Sequence, residues 1–443
     1  MVSRILIALF LFSFAVSPAG AEGEWQYGPP MPNSRYGHDA ILGKDGNIYV
    51  MGGLVCDYKI PYEYNSGRYS NISFDISHDK WIILEPVPGS ANDDDIYYFY
   101  EKENDSWLGM REIEKKEDIY EIILPLSQEG NIINMNKEKL RNTDFSRQGD
   151  GVAIATGKEG LIYWTGGRGE WNQYGEKLVL EYDPVNNKWS EAQPFIDFET
   201  PLRSVTRTVY ESRIPPMQYA HINHEALVTS DGTIYVIGGL WEEPGMDGKK
   251  RPRTFSHSMN AVERWKPGKK KWEFRSRMSS ERFLFAAVVG PDDKIYAFGG
   301  ARVLLDGTRP VLDATEVYDP GTDTWSLRSP MPEERCGHAA VLGADNRIYV
   351  MGGEGGRGQP ERDLFIYDTV LDKWQRGPDM NSPRTTLAAV ATPDGMIYAI
   401  GGTDIGAYKY KGLFNRFTPK GEALPKGKVQ DTMEILDIKQ LSK

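Results

Sequence analysis

The stretch SRYGHDAILGKDGNIYVMGG, residues 34–53, has close counterparts further along the chain. Residues 220–239 read AHINHEALVTSDGTIYVIGG, and residues 334–353 read ERCGHAAVLGADNRIYVMGG. Each stretch contains an apolar run with small residues, a short polar turn, an Ile-Tyr pair and two glycines. A turn such as Asp-Gly between two apolar runs is a strong hairpin signal, because glycine readily adopts a positive φ. Each stretch therefore predicts a β-hairpin, whose strands we name a and b.

The glycine doublet recurs down the chain, each time three residues after a tyrosine. The tyrosines are Tyr49, Tyr163, Tyr235, Tyr296, Tyr349 and Tyr398. In most units a second hairpin follows, in which an aromatic residue precedes a tryptophan by seven positions. These pairs are Phe74/Trp81, Tyr182/Trp189, Trp265/Trp272, Tyr318/Trp325 and Tyr367/Trp374. They predict strands c and d, and four short antiparallel strands repeated about every fifty residues are typical of the blades of a β-propeller.

The doublet and the spaced tyrosine and tryptophan resemble the kelch repeat, and the resemblance covers nearly the whole chain after residue 21. It implies an all-β fold, a kelch-type β-propeller. It does not select a function, because kelch propellers serve both as enzymes and as binding platforms.

The two ends of the chain predict how the ring closes. Trp25 lies ten residues before Arg35, the same spacing that separates Trp325 from Arg335, so the N-terminus predicts a strand d with no strand c before it. Residues 432–438, TMEILDI, predict a strand c with no strand d after it. We therefore expect the N-terminal strand to complete the last blade, which removes an exposed sheet edge.

The number of blades depends on residues 89–146. The doublets that begin at Gly52 and Gly166 are 114 residues apart, about two repeats. The intervening residues predict further strands, and Tyr100/Trp107 keeps the aromatic spacing although a glycine doublet is lacking. We expect seven blades, of which the second is degenerate. The alternative is a ring of six blades that carries a strand-rich insert.

Residues 1–21 have the layout of a secretory signal peptide. Arg4 precedes an apolar run from Ile5 to Val16, and Ala19-Gly20-Ala21 fits the expected cleavage site. We therefore expect a secreted or periplasmic monomer in which residues 22–443 form a single propeller domain. No later stretch is long and apolar enough to predict a transmembrane helix.

The net charge limits the classes of binding partner, and the cysteine count limits the disulfides. The formal net charge of −11 argues against nucleic acid, whose phosphates are bound by Lys and Arg. Cys56 and Cys336 cannot make a disulfide framework, although an oxidising compartment would allow one bridge between them. No cofactor motif is present, so we expect a protein or glycan ligand and no cofactor.

Strand a begins at a position that is often basic, seventeen residues before each doublet. The residues there are Arg35, Gly149, His221, Arg282, Arg335 and Arg384. Guanidinium groups pair well with carboxylate or phosphate, so these side chains are candidates for binding an anionic ligand at the rim of the channel. The alternative is that they brace the blades, as the resemblance to kelch repeats implies.

Histidines stand three positions further along in three of the units. His38, His224 and His338 are candidates for ligand contact, and three imidazoles facing one channel would suit zinc or copper. However, an alanine follows two residues after each of them on the same strand face, which favours close contact between blades. We therefore predict no metal site.

The connections between strands b and c are long and varied, whereas the a–b turns are uniformly tight. Binding usually resides in elaborated loops on a rigid scaffold. Aromatic residues in these loops are further candidates for ligand contact, because they present a flat apolar face and a polar tip. They include Tyr58, Trp171, Trp241 and Tyr408.

Two functions fit these features. The first is a non-catalytic platform that binds a protein or glycan through the loop-rich face of the channel. The alternative is an enzyme similar to the kelch-type sialic acid mutarotases, in which the arginines would bind an acidic sugar and Glu225 or His221 would act as general base. We favour the binding platform, since no local motif supports catalysis.

Overall fold

The computed structural model describes residues 23–55, 71–84, 96–101, 106–112, 120–123, 150–168, 177–190, 193–196, 208–211, 214–246, 252–406 and 429–442. These residues form six antiparallel four-stranded sheets, the blades, in which strands a to d run from the centre outwards. Strands are numbered in chain order. Within the described residues no helix is long and apolar enough to cross a membrane.

The first three blades follow one another along the chain. Blade 1 consists of β2 (Arg35–Leu42), β3 (Ile48–Val55), β4 (Ile72–Asp75) and β5 (Lys80–Ile83). Blade 2 consists of β9 (Asp150–Thr156), β10 (Ile162–Arg168), β11 (Val179–Asp183) and β12 (Lys188–Trp189). Blade 3 consists of β15 (Glu225–Val228), β16 (Ile234–Ile237), β19 (Val262–Trp265) and β20 (Glu273–Phe274).

The other three blades complete the ring. Blade 4 consists of β21 (Ala286–Val289), β22 (Ile295–Phe298), β23 (Thr315–Asp319) and β24 (Thr324–Arg328). Blade 5 consists of β25 (Cys336–Leu342), β26 (Ile348–Glu354), β27 (Leu364–Asp368) and β28 (Lys373–Arg376). Blade 6 consists of β29 (Ala388–Ala391), β30 (Met396–Ile400), β31 (Met433–Asp437) and β1 (Gln26–Tyr27). A 3-10 helix, Ile438–Ser442, follows β31.

Three smaller sheets lie outside the blades. Strands β6 (Ile96–Glu101), β7 (Ser106–Glu112) and β8 (Tyr120–Ile123) form a three-stranded sheet. Strands β13 (Gln193–Ile196) and β14 (Thr208–Glu211) form a hairpin in the connection from blade 2 to blade 3. Strands β17 (Leu240–Met246) and β18 (Pro252–Ser258) form a hairpin between strands b and c of blade 3.

The ring contains six blades, so the preferred count of seven was one too many and the alternative is confirmed. Strand β2 contacts β9 directly, which joins blade 1 to blade 2 without a blade between them. Tyr49 and Met51 of blade 1 share a core cluster with Trp164 of blade 2. Strands β6, β7 and β8 form the three-stranded sheet instead, because tyrosine and tryptophan spacing predicts hairpins but not membership in the ring.

The core lies between the blades rather than inside them. Successive residues of strand b point to opposite neighbours: Ile48 and Val50 pack against blade 6, whereas Tyr49 and Met51 pack against blade 2. Each seam between two adjacent blades has such a cluster. Both faces of strand b are therefore buried, which explains why it is an unbroken apolar run rather than an alternating one.

The N-terminal strand closes the ring, as expected. Gln26 pairs with Ile435 and Tyr27 pairs with Glu434 in antiparallel register. Trp25 is 4% exposed, packs in the seam between blades 5 and 6, and donates its Nε1–H to the Pro378 carbonyl over 3.0 Å.

Replacing Trp25 by alanine should lower the free energy of unfolding by about 3–5 kcal/mol, because a buried indole and its hydrogen bond are lost from the closing blade. Chemical denaturation followed by circular dichroism measures this change. Tyr27→Ala is the matched control on the same strand: its ring is 59% exposed, so the expected cost is about 1 kcal/mol or less. Equal effects of the two substitutions would contradict closure through Trp25.

Candidate functional site

The rim position, seventeen residues before each glycine doublet, carries a buried side chain wherever the structure describes it. Arg35, His221, Arg282 and Arg384 are each 0% exposed, and Arg335 is 2% exposed. Gly149 lies outside the described residues. The side chains proposed from the sequence as an anion-binding rim are therefore enclosed by protein.

Arg384 and Arg282 share one bonding pattern inside their own blade. Arg384 donates to the carbonyl of Gly401 over 2.9 Å and to Oε1 of Glu434 over 2.5 Å. Arg282 donates to the carbonyl of Gly299 over 3.1 Å and to Oε1 of Glu316. Each arginine thus ties the end of strand b to strand c, and its charge is neutralised by a buried carboxylate.

The same carboxylates also hold the connection that enters the blade. Glu434 accepts the backbone N–H of Asn381 over 2.6 Å and that of Ser382 over 3.1 Å. Glu316 accepts the N–H of Ser279 over 2.9 Å. Arginine, carboxylate and connection therefore form one network in each of these blades.

Arg335 reaches a different set of acids. In blade 5 the strand position of the carboxylate is taken by Phe365, and the Arg335 guanidinium lies 5.4 Å from the centre of that ring. Its Nη2 donates instead to Asp363 and to Glu333, each over 2.6 Å. The charge requirement is met by neighbouring residues when strand c does not supply the acid.

Arg35 donates from Nε and Nη2 to Oδ1 of Asn33, over 3.0 Å and 2.6 Å. Burial lowers the pKa of Arg35 to about 9, so the guanidinium stays charged at neutral pH.

These contacts account for the rim arginines as braces. An anionic ligand could reach Arg282 or Arg384 only by breaking the bonds to Glu316 or Glu434 that hold the blade together. The bracing interpretation therefore explains the geometry, and the acidic-sugar alternative loses the free guanidinium groups on which it depends.

The three histidines lie in the seams between blades. His38 and His338 are 6% and 5% exposed, and burial, with a smaller contribution from Arg35 or Arg335, lowers the pKa of each to about 3. His224 donates from Nε2 to Oγ1 of Thr165 in the preceding blade over 2.8 Å, because the Thr165 hydroxyl itself donates to a carbonyl. Burial holds the pKa of His224 well below its ordinary value.

These histidines are neutral packing residues rather than a metal centre. They belong to blades 1, 3 and 5, and no group of three or more His, Cys, Asp or Glu side chains in the described ranges could hold a metal ion. Cys336 is a buried free thiol, and Cys56 lies outside the described residues.

A ring of six residues surrounds the channel one residue before the histidine position, and five main-chain hydrogen bonds join its consecutive members. One residue per blade adopts a positive φ there: Gly37, Gly151, Asn223, Leu284, Gly337 and Thr386. Their backbones are joined in series over 2.7–3.2 Å, through the donor–acceptor pairs Gly37–Thr386, Thr386–Gly337, Gly337–Leu284, Leu284–Asn223 and Asn223–Gly151. Leu284 and Thr386 accept a left-handed conformation that is unfavourable for their side chains, so the surrounding structure, including these bonds, must outweigh that strain.

The channel below this ring contains two carboxylates. The six copies of strand a surround a cavity of about 340 Å³. Asp39 of blade 1 and Glu225 of blade 3 are among the residues that line it. Asp39 accepts the N–H of Ile154 in blade 2 over 2.8 Å. Burial raises the pKa of Asp39 to about 6, and burial together with the charge of Asp39 raises the pKa of Glu225 well above its ordinary value.

The loop face, which we define as the face carrying the b–c and d–a connections, presents the hairpin β17–β18. Trp241 pairs with His257 across this hairpin, with ring centres 5.2 Å apart and an angle of 33° between the planes. Trp241 is 40% exposed. Tyr58, Trp171 and Tyr408, the other aromatic candidates, lie outside the described residues.

Sequence reasoning missed two residues of these sites. Asp39 follows a histidine just as Glu225 does, and this shared position was the available signal. His257 could not be paired with Trp241 beforehand, because the register of a hairpin inside a long loop depends on where its turn lies.

Arg384→Met should lower the free energy of unfolding by about 3 kcal/mol, because Glu434 would be left buried without its cation. Urea denaturation measures this loss. The double variant Arg384→Met/Glu434→Gln removes the unpaired charge and should recover part of the stability. If the single variant is as stable as the wild type, Arg384 is not a brace.

Glu225→Gln should flatten the dependence of stability on pH. A carboxyl whose pKa is higher in the folded protein stabilises it fully below the ordinary carboxyl pKa of about 4, and this contribution is lost as pH rises through the folded value. For Asp39 that window runs from its ordinary value of 3.8 to about 6, and for Glu225 it begins near 4.5 and extends upwards. Denaturation at a series of pH values from acid to neutral should show a smaller fall for the variant, and parallel curves would contradict the raised pKa.

Comparisons with known proteins agree with this architecture. The KLHDC2/KLHL20/DRC7 Kelch-repeats domain matches residues 223–415. Kelch-like protein 25 of Xenopus tropicalis is 30% identical over 194 residues, which cover 44% of this chain and 27% of that protein.

Two further relatives match shorter stretches. Kelch-like protein terF of Aspergillus terreus is 30% identical over 158 residues, 35% of this chain and 32% of that protein. Human Kelch-like protein 15 is 27% identical over 184 residues, 39% of this chain and 25% of that protein. The matches thus span no more than about a third of these relatives. With the glycine doublets and the ring of four-stranded blades, they support a kelch-type β-propeller fold, and the matched residues are similar to kelch-repeat proteins.

Proposed function

We propose that this propeller binds a protein partner on the loop face, through the hairpin β17–β18 and the adjacent b–c connection of blade 4. The observation that carries the proposal is the exposed Trp241, whose ring contacts that of His257 on a hairpin with a buried base. A large aromatic side chain that is exposed but rigid is the kind of residue that dominates binding at protein interfaces.

The two faces of the propeller differ in regularity. All six a–b turns repeat one pattern, in which the residue after strand a donates its N–H to the carbonyl four residues on, as Gly43 does to Asn47 and Gly343 to Arg347. The b–c and d–a connections instead include two hairpins and loops of different lengths. Variation confined to one face supports binding there, because scaffold positions must repeat and contact positions need not.

The hairpin is anchored at its base. Glu242 is 8% exposed and accepts the hydroxyl of Ser256 over 3.0 Å. Ser258 donates to Glu281 and accepts the N–H of Val303, each over 3.1 Å. These bonds join β17–β18 to the connection entering blade 4 and to the b–c connection of blade 4.

The b–c connection of blade 4 adds a second exposed apolar residue. It folds back on itself, since Arg302 donates to Pro310 and Leu304 donates to Thr308. Its tip carries Leu305, which is fully exposed. Trp241 and Leu305 therefore stand on two elements that are bonded to each other, so a partner would meet a preorganised surface.

Because we predict a leader in residues 1–21, we expect the partner to be a protein outside the cytoplasm. A photo-reactive phenylalanine at position 241 should therefore cross-link a protein from the periplasmic or secreted fraction rather than from the cytosol. Val370, 89% exposed in the c–d turn of blade 5 on the opposite face, is the control position and should not cross-link that protein.

Trp241→Ala should weaken binding of the purified partner by more than about tenfold, the effect expected for an interface tryptophan. His257→Ala should weaken it less, because it removes the support of the indole and not the indole itself. Val370→Ala should leave the affinity unchanged, as measured by calorimetry. Loss of binding with Val370→Ala but not with Trp241→Ala would assign binding to the opposite face.

A further inference from the structure

Blade 3 differs from its neighbours in how it is braced. His221 stands where blades 4, 5 and 6 have Arg282, Arg335 and Arg384. Its Nδ1 lies 2.7 Å from the carbonyl oxygen of Gly238, and its Nε2 lies 3.1 Å from Oε1 of Glu263. Gly238 corresponds to Gly401 in blade 6, and Glu263 corresponds to Glu434.

Both partners of the imidazole are acceptors. A carbonyl oxygen can only accept, so Nδ1 must carry a proton. Glu263 already accepts the N–H of Gln218 over 2.7 Å and that of Tyr219 over 2.8 Å, the bonding of an ionised carboxylate. If His221 is to donate both to Gly238 and to Glu263, its imidazole must carry two protons, one more than the neutral form has. An arginine at this position carries its positive charge permanently.

The groups that surround His221 do not take up this proton, so it belongs to the His221–Glu263 pair. Both side chains are 0% exposed. His224 on the same segment lies 5.4 Å away between ring centres, but it is neutral and donates to Thr165. From blade 2 the backbone N–H of Gly167 binds the carbonyl of His221, and neither Thr165 nor Gly167 titrates.

The brace holds the root of the hairpin β17–β18. Gly238 is two residues before Leu240, where β17 begins. Leu240 exchanges two backbone hydrogen bonds with Ile222, the residue after His221, over 2.7 Å and 3.1 Å. Met259, which follows β18, donates to Gly239 over 2.9 Å. The side chain and backbone of residues 221–222 thus fix the β17 end of the hairpin, and the β18 end is bonded to Gly239 within the same root.

We propose that the proton shared by His221 and Glu263 is a switch that controls the order of the hairpin β17–β18. With the proton bound, His221 donates to both Gly238 and Glu263 and the root is pinned. When pH rises and the proton leaves, the pair keeps a buried carboxylate facing an unprotonated nitrogen, so one bond is lost and the root loosens. Histidine is the side chain suited to this role in the physiological range of pH.

The consequence for binding rests on the proposed function of the hairpin, whereas the switch itself does not. The consequence is that the partner should bind more tightly at the lower pH values, where the His221–Glu263 pair holds its proton. The order of the hairpin can be measured in the free protein, which separates a failure of the switch from a failure of the binding proposal.

Two measurements test the switch on the full-length protein. In protein labelled with ¹⁵N-histidine, one imidazole absent from His221→Arg should carry protons on both nitrogens at neutral pH. Hydrogen exchange of the amides of Leu240 and Met259, corrected for intrinsic rates, should show protection that falls about tenfold between pH 6 and pH 9 in the wild type, the effect of losing one charge-assisted bond. In His221→Arg, which restores the brace of the other blades, protection should stay constant.

Two further variants exclude other titrating groups. His257→Gln removes the exposed histidine of the hairpin and should leave the pH dependence of the root unchanged. Arg282→His places the same pair in blade 4, opposite Glu316, and should create pH-dependent protection at Gly299 and Gly300. A neutral His221 at neutral pH, or the same pH profile in the wild type and in His221→Arg, would overturn the proposal.

Discussion

The ring depends on one repeated contact between neighbouring blades. Among the described residues, the second glycine of five doublets donates its N–H to the carbonyl of the rim residue of the next blade, which lies seventeen residues before that blade's own doublet. Gly300 does so to Arg335 over 2.7 Å, and Gly402 to Arg35 over 2.9 Å. The backbones approach so closely that a Cβ on Gly299 would lie 2.5 Å from the Arg335 carbonyl oxygen. Both glycines also have positive φ, so the doublet satisfies a conformational and a steric requirement together.

This contact gives the rim residue two roles at once. Its backbone holds the preceding blade, and in blades 3 to 6 its side chain holds its own blade through a carbonyl and a carboxylate. The backbone role is the same for any residue, whereas the side-chain role needs a cation. Among the arginines the partner acid varies, as Arg335 shows by using Asp363 in place of an acid on strand c. Blade 2 has Gly149 at this position and therefore no side chain for this role.

The fold could be predicted from the sequence because the doublet, the Ile-Tyr pair and the paired aromatics recur at fixed spacing and predict the strands of each blade. The position of Trp25 predicts the closing strand. The sequence was not sufficient for the blade count, since β6, β7 and β8 are strands without the doublet that would join them to the ring. Nor could the sequence decide whether the rim arginines point into the channel to bind a ligand or into their own blade as braces. The available signal was an acid on strand c, two positions before the residue that is usually the strand c aromatic. These acids are Glu263, Glu316 and Glu434. An acid at a position inside a buried strand indicates that the arginine has a buried partner and is not a free charge.

Blade 3 departs from the repeat in several ways that meet at one place. It has a histidine where four blades have an arginine, Asn223 in the left-handed position of the channel ring, Glu225 in the channel and the hairpin β17–β18 on the loop face. A blade in a closed ring is held at two seams, so its own brace can be weaker without opening the ring. That margin explains why a titratable brace and an elaborated loop occur in the same blade: the regular blades supply the stability, and the irregular one can respond to its surroundings.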